Sequence, residues 1–187
     1  MNSKHLLITH FLLLAALWLL AGCSPDTAEQ TDIPPLVVAA EQGDTEKISA
    51  LLSAQTPVDS RDSCQWTPLM KAALYGHTEA AMQLIEAGAD MNLVDNGGYT
   101  ALMLAASNNH TELVRALLAR GADPDIQEAT KGWTALIWAA KRGHLESVKA
   151  LIEGGARPDL ADFAGETARS WAEQKQHLEV IQLLDRS

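Results

Sequence analysis

Two kinds of side chain in this sequence have the type and setting for chemistry. The first is Cys23, which closes an apolar run from Phe11 to Gly22 that contains no charge. A thiolate is the strongest common side-chain nucleophile, so a cysteine in that setting is suited to covalent modification. The second is a set of four histidines, His77, His110, His144 and His177, spaced by 33, 34 and 33 residues. Imidazoles are common metal ligands. Packed helices lie about 8–10 Å apart, whereas zinc–nitrogen bonds are about 2 Å. Histidines carried on successive units therefore cannot share one tetrahedral ion, and the four read as structural turn residues. No His-Glu-x-x-His, Gly-x-Ser-x-Gly or Gly-rich phosphate loop occurs, and the carboxylates are dispersed. The expectation is a chain with no catalytic residues, no metal site, no cofactor and no small-molecule substrate.

Stepping outward from Cys23, Lys4 precedes the apolar run and small residues end it. The run is shorter than the roughly 20 residues a spanning helix needs, and its layout is that of a secretory leader. Leu20-Ala21-Gly22-Cys23 resembles the lipobox of bacterial lipoproteins. The resemblance implies cleavage before Cys23, a diacylglyceryl group on its thiol and acylation of the new amino group. More than one acyl chain gives stable anchoring. In that family Ser rather than Asp after the cysteine permits export, so Ser24 implies a periplasm-facing position at the bacterial outer membrane, held through the lipid on Cys23. The segment Ser24–Pro35, "SPDTAEQTDIPP", is polar and acidic and reads as a tether; extended, it could reach roughly 40 Å. The expected organisation is a leader over 1–22, a lipidated cysteine and tether over 23–35, and a folded domain over 36–187.

The net charge is −10, and loss of Lys4 with the leader makes it one unit more negative. Such a balance disfavours nucleic acid as a partner, because phosphate binding demands a basic surface. With Cys23 lipidated, Cys64 would be the one remaining cysteine, without an intramolecular partner. It is expected as a tolerated small residue in a loop.

The folded part is written in units. "TPLMKAALYGHTEAAMQLIEAGAD" begins at Thr67, "TALMLAASNNHTELVRALLARGAD" at Thr100, "TALIWAAKRGHLESVKALIEGGAR" at Thr134 and "TARSWAEQKQHLEVIQLLD" at Thr167. An earlier unit begins at Pro35. Thr is suited to cap a helix start and Pro68 to its first turn. The pairs Ala72-Ala73, Ala105-Ala106 and Ala139-Ala140 allow close helix approach, and Gly88, Gly121 and Gly155 allow the positive φ that ends a helix. A period of about 33 with this pattern resembles the ankyrin repeat. The resemblance implies an all-α solenoid of about five stacked helix-turn-helix units joined by hairpin-like loops. End units are expected to differ. Asp44 and Gln55 in the first unit, and Arg169, Glu173 and Gln176 in the last, depart from the pattern, the latter giving a polar outer face. Gln65 stands where other loops have Gly, and Gln127–Trp133 holds one extra residue, so loop geometry is expected to differ near Gln65 and Thr130.

In ankyrin-repeat proteins the partner usually meets the loop tips and the exposed side of the first helices. That implies a protein-binding surface of Trp66, Tyr99 and Trp133 at the loop tips and Leu74, Tyr75, Ser107, Asn108, Lys141 and Arg142 late in the first helices, with Trp138 earlier. Trp138 and Trp171 are expected to pack partly into the core. Aromatic side chains of this kind are frequent binding hot spots. The resemblance implies an unidentified protein partner. The candidate roles are immunity against a toxin delivered to the periplasm, protection of a periplasmic enzyme such as catalase, or a structural spacer in the envelope.

Overall fold

The computed structural model describes residues 33–187; the leader, Cys23 and most of the tether lie outside the described residues. Ten helices occur among them. They are α1 (Pro35–Gln42), α2 (Thr45–Ser53), α3 (Pro68–Tyr75), α4 (Thr78–Glu86), α5 (Ala101–Ser107), α6 (Thr111–Ala119), α7 (Ala135–Arg142), α8 (Leu145–Glu153), α9 (Ala168–Gln174) and α10 (Leu178–Leu184). Each odd helix pairs with the even helix after it, and the five pairs stack into an all-α solenoid. First helices contact first helices along one row, second helices contact second helices along the other. No described helix is long and apolar enough to cross a membrane.

The local causes are repetitive. Thr67, Thr100, Thr134 and Thr167 each accept a hydrogen bond from the backbone N–H three residues on, at 3.2–3.3 Å, which satisfies a donor that has no intrahelical partner. The alanine pairs at 39–40, 72–73, 105–106 and 139–140 are wholly buried between neighbouring first helices. Leu84, Leu117 and Leu151 fill the seam of the second helices with no exposure. The last unit keeps Ala172 buried but exposes Glu173. Arg169 bonds both Glu173 and Asp185 at 2.6 Å on this outer face, as a terminal unit in water requires.

The turn histidines bind the units together. Nε2 of His77, His110, His144 and His177 lies 3.1 Å from the carbonyls of Glu41, Leu74, Ser107 and Lys141. Every one of those carbonyls belongs to the preceding unit. In the first described unit Asp44 stands at the histidine position and instead caps its own helix, accepting from Lys47 N–H at 2.9 Å. Where a unit lacks the turn glycine, the backbone keeps the glycine conformation regardless. Gln55, Gln65, Asn109 and Gln176 all have φ of 61–65°. Gln65 therefore does not disturb its loop.

The loops form a second ladder. In each, the residue that opens the turn bonds backbone-to-backbone with the residue before the capping Thr, for example Asp95 N–H to the Tyr99 carbonyl at 3.2 Å. Successive tips are zipped together: Asn96 N–H to Cys64, Ala129 N–H to Gly97 and Phe163 N–H to Lys131, at 2.8–3.2 Å. The loops are hairpin-like, although a single isolated bridge, Ala161 with Thr167, marks regular pairing.

Candidate functional site

Each loop is organised by one carboxylate at its opening residue. Asp62 Oδ1 accepts from Cys64 and Trp66 N–H, Asp95 Oδ1 from Gly97 and Tyr99 N–H, and Asp162 Oδ1 from Ala164 and Glu166 N–H, all at 2.8–2.9 Å. The loop with the extra residue uses a longer acid. Glu128 Oε2 accepts from Thr130 N–H, and Oε1 from Lys131 N–H and Trp133 N–H. One additional methylene in the side chain spans one additional residue in the backbone. The departure anticipated near Thr130 is thus accommodated locally. Burial disfavours the Glu128 carboxylate, but the donors from Thr130, Trp133 and Lys131 outweigh it and hold its pKa below the ordinary value.

The first-helix face divides into two halves. In the N-terminal half the polar groups satisfy one another. Glu41 accepts from Tyr75 Oη–H at 3.1 Å and pairs with Lys71 at 3.5 Å; Lys71 in turn lies 4.9 Å from the Trp66 ring. Tyr75 is 45% exposed, whereas Leu74 and Trp66 are half-buried.

The C-terminal half is built around Asp162, which is 6% exposed. Its Oδ2 accepts from the indole N–H of both Trp133 and Trp171, at 2.9 Å each. Burial alone would raise its pKa, yet the donors from Glu166, Trp171, Trp133 and Ala164 hold it below the usual carboxylate value. Trp133 meets Trp138 edge-on at 4.6 Å and Trp171 at 5.2 Å, and Tyr99 lies 6.0 Å from Trp138. Lys141 Nζ sits between two indoles, 3.7 Å from the Trp133 ring and 4.3 Å from that of Trp171. Lys131 covers Trp133 at 4.6 Å and Arg142 covers Trp138 at 5.5 Å. Burial lowers the Lys141 pKa, and the charges of Lys131, Lys175 and Arg142 lower it further, against a smaller pull from Asp162.

Three expectations from the sequence are corrected by this geometry. Trp133 is not an exposed tip residue: it is 3% exposed and locked to Asp162. Ser107 is buried at 9% exposure, its hydroxyl donating to the Leu104 carbonyl and its own carbonyl facing His144; only Asn108 beside it is open. Cys64 is not a free thiol, so the expectation of a cysteine without a partner does not hold. Trp66, Tyr99 and Trp138 are half-buried, Tyr75 and Arg142 exposed, and Lys141 half-buried under its indoles. Tyr99, Trp133, Trp138, Lys141 and Arg142 converge, while Trp66, Leu74 and Tyr75 lie in the other half. Sequence reasoning missed Asp162, Glu128 and Lys131, while Lys175 was among the expected exposed first-helix positions. The recurring acid four or five residues before the residue that precedes each capping Thr was the signal for the first two.

Among the described residues no group of three His, Cys, Asp or Glu side chains converges to hold a metal ion. The arrangement presents cations and aromatic edges, a chemistry of binding.

A family model described as ankyrin repeats (3 copies) matches residues 11–95, 36–128 and 102–186. No curated protein matches the chain.

Proposed function

The chain belongs to the ankyrin-repeat family, whose repeats generally mediate protein–protein interaction, and from that membership we propose that it is a protein-binding module displayed on a lipid anchor. Binding is the coarse function that the family carries. The finer reading has two parts. The first places the binding surface on the first-helix face, centred on Tyr99, Trp138, Lys141 and Arg142. The observation that supports it is the convergence there of four aromatic rings and four cations in a chain of net charge −10. The second attaches the chain through Cys23 to the bacterial outer membrane, facing the periplasm, with the segment ahead of α1 as tether. It rests on the Leu20-Ala21-Gly22-Cys23 sequence.

Capture from envelope extract with a tagged full chain tests the first part. The double variant Tyr99→Ala/Trp138→Ala should lose the partner while keeping its fold; undiminished capture would put the surface elsewhere. Cys23→Ala tests the second: it should leave the chain unprocessed and out of the outer-membrane fraction. A mature chain whose mass carries no acyl chains would sink the anchor reading.

A further inference from the structure

We infer that the first-helix face of the last three units receives an acidic, extended segment of the protein partner, whose carboxylates meet Lys131, Lys141, Arg142 and Lys175 and whose apolar side chains meet Trp138 and Trp171. This inference rests on the first-helix reading above and specifies its occupant.

Unspent positive charge is the first reason. Among the described residues Lys71, Arg115, Arg120, Arg157 and Arg169 are in ion pairs, in a chain with 24 acidic residues against 14 basic ones. Lys131, Lys141, Arg142 and Lys175 are in none; neither are Lys47, Arg61, Lys149 and Arg186, but the first four gather on one face, where their charges act together at Lys141. The nearby acid cannot neutralise them by direct pairing. Both oxygens of Asp162 are already occupied, Oδ1 by two backbone N–H groups and Oδ2 by two indole N–H groups. Gathering like charges costs energy unless something of opposite sign relieves it.

Shape is the second reason. The four cations come from the loop before α7, from the end of α7 and from the residue after α9. First helices stack about 8–10 Å apart, so a segment crossing three units needs roughly six extended residues. Trp138 and Trp171 are half-exposed along that path, and Phe163, 66% exposed, stands at its edge with its ring against Gly132.

A single-stranded nucleic acid would also offer negative charge, but such strands bind by stacking bases on open aromatic faces. Here Trp133 is buried, and its ring is covered by Lys131 and Lys141 and met edge-on by Trp138 and Trp171. The remainder of the acidic chain would repel phosphates beyond the patch.

The test titrates the full chain with a random copolymer of glutamate and tyrosine, read by tryptophan emission excited beyond tyrosine absorption. The expected result is saturable binding that weakens with salt and falls by at least about tenfold in Arg142→Glu/Lys175→Glu. The comparison is Lys47→Glu/Lys149→Glu, which changes net charge equally on exposed second-helix positions and should bind as wild type. Equal losses in both double variants, or no binding by wild type, would overturn the acidic occupant. Tighter binding of a single-stranded oligothymidylate than of the copolymer would overturn it in favour of nucleic acid. The partner-capture assay separates the two readings. If capture still requires Tyr99 and Trp138 while the copolymer fails, the acidic occupant alone falls; if capture ignores them, the first-helix reading falls as well.

Discussion

At the scale of single residues, Asp162 separates three tryptophans of one cluster. Trp133 and Trp171 each give their indole N–H to its Oδ2, while the Trp138 Nε1 is buried without an acceptor. A hydrogen bond to a buried charge is worth about 1.5–3 kcal/mol, whereas an unpaired buried donor is a cost. Trp133→Phe and Trp171→Phe should therefore each destabilise by about that amount. Trp138→Phe removes an unsatisfied group along with some ring contact and should stay within about 1 kcal/mol of wild type. Urea denaturation of the three variants checks the order; a loss at Trp138 matching that at Trp133 would contradict it. The distinction was invisible in the sequence. Trp133 occupies the same unit position as Trp66 and Tyr99, and its burial depends on Asp162 and Trp171, which arrive from the following unit.

At the scale of elements, the helix ends carry the repeat, and substitutions there should act with opposite signs. Gln55 holds φ at 61° with an exposed side chain, where other units have glycine. A left-handed conformation costs a side-chain-bearing residue roughly 1–2 kcal/mol, and glycine gives back about half of that in unfolded-chain entropy. Gln55→Gly should stabilise by up to about 1 kcal/mol. Gly143→Ala should do the reverse, since φ is 75° and the added Cβ would come 2.7 Å from the His177 ring. A loss of about 1–3 kcal/mol is expected, and calorimetric melting of both variants decides. Much at this scale was legible beforehand. Capping threonines, paired alanines and the last unit's Arg169 and Glu173 recur, or fail to recur, at fixed spacing, and each has a job that one unit's sequence explains. Ser107 was misread because its counterparts in other units, Leu74 and Lys141, are only half-buried; its own short hydroxyl instead folds back, donating to the Leu104 carbonyl and accepting from the Asn108 amide. A contact made in one unit alone leaves no period in the chain.

At the scale of the whole molecule, one rung of the histidine ladder, His144, ties stability to pH. Burial lowers the His144 pKa below 6.5, helped by the charges of Arg142 and His177 and opposed by its bond to the Ser107 carbonyl. The unfolded chain then binds a proton more readily than the folded one. The contribution is fully present above pH 6.5 and is lost as pH falls through the lower folded value. Melting temperature should drop between neutral and mildly acidic buffer, and His144→Gln should flatten that part of the profile; an unchanged slope would remove His144 as its source. The same ladder has a direction. Every histidine reaches back to the unit before it, and every loop tip is zipped to its neighbour. Among the described units the fifth is tied to the fourth by the His177 rung and the Phe163 tip contact. That fifth unit supplies Trp171, Lys175 and the roof of Lys141. An occupant lying across the first-helix face would bridge the fourth and fifth units a second time, so that recognition and the clamping of that joint would be a single event.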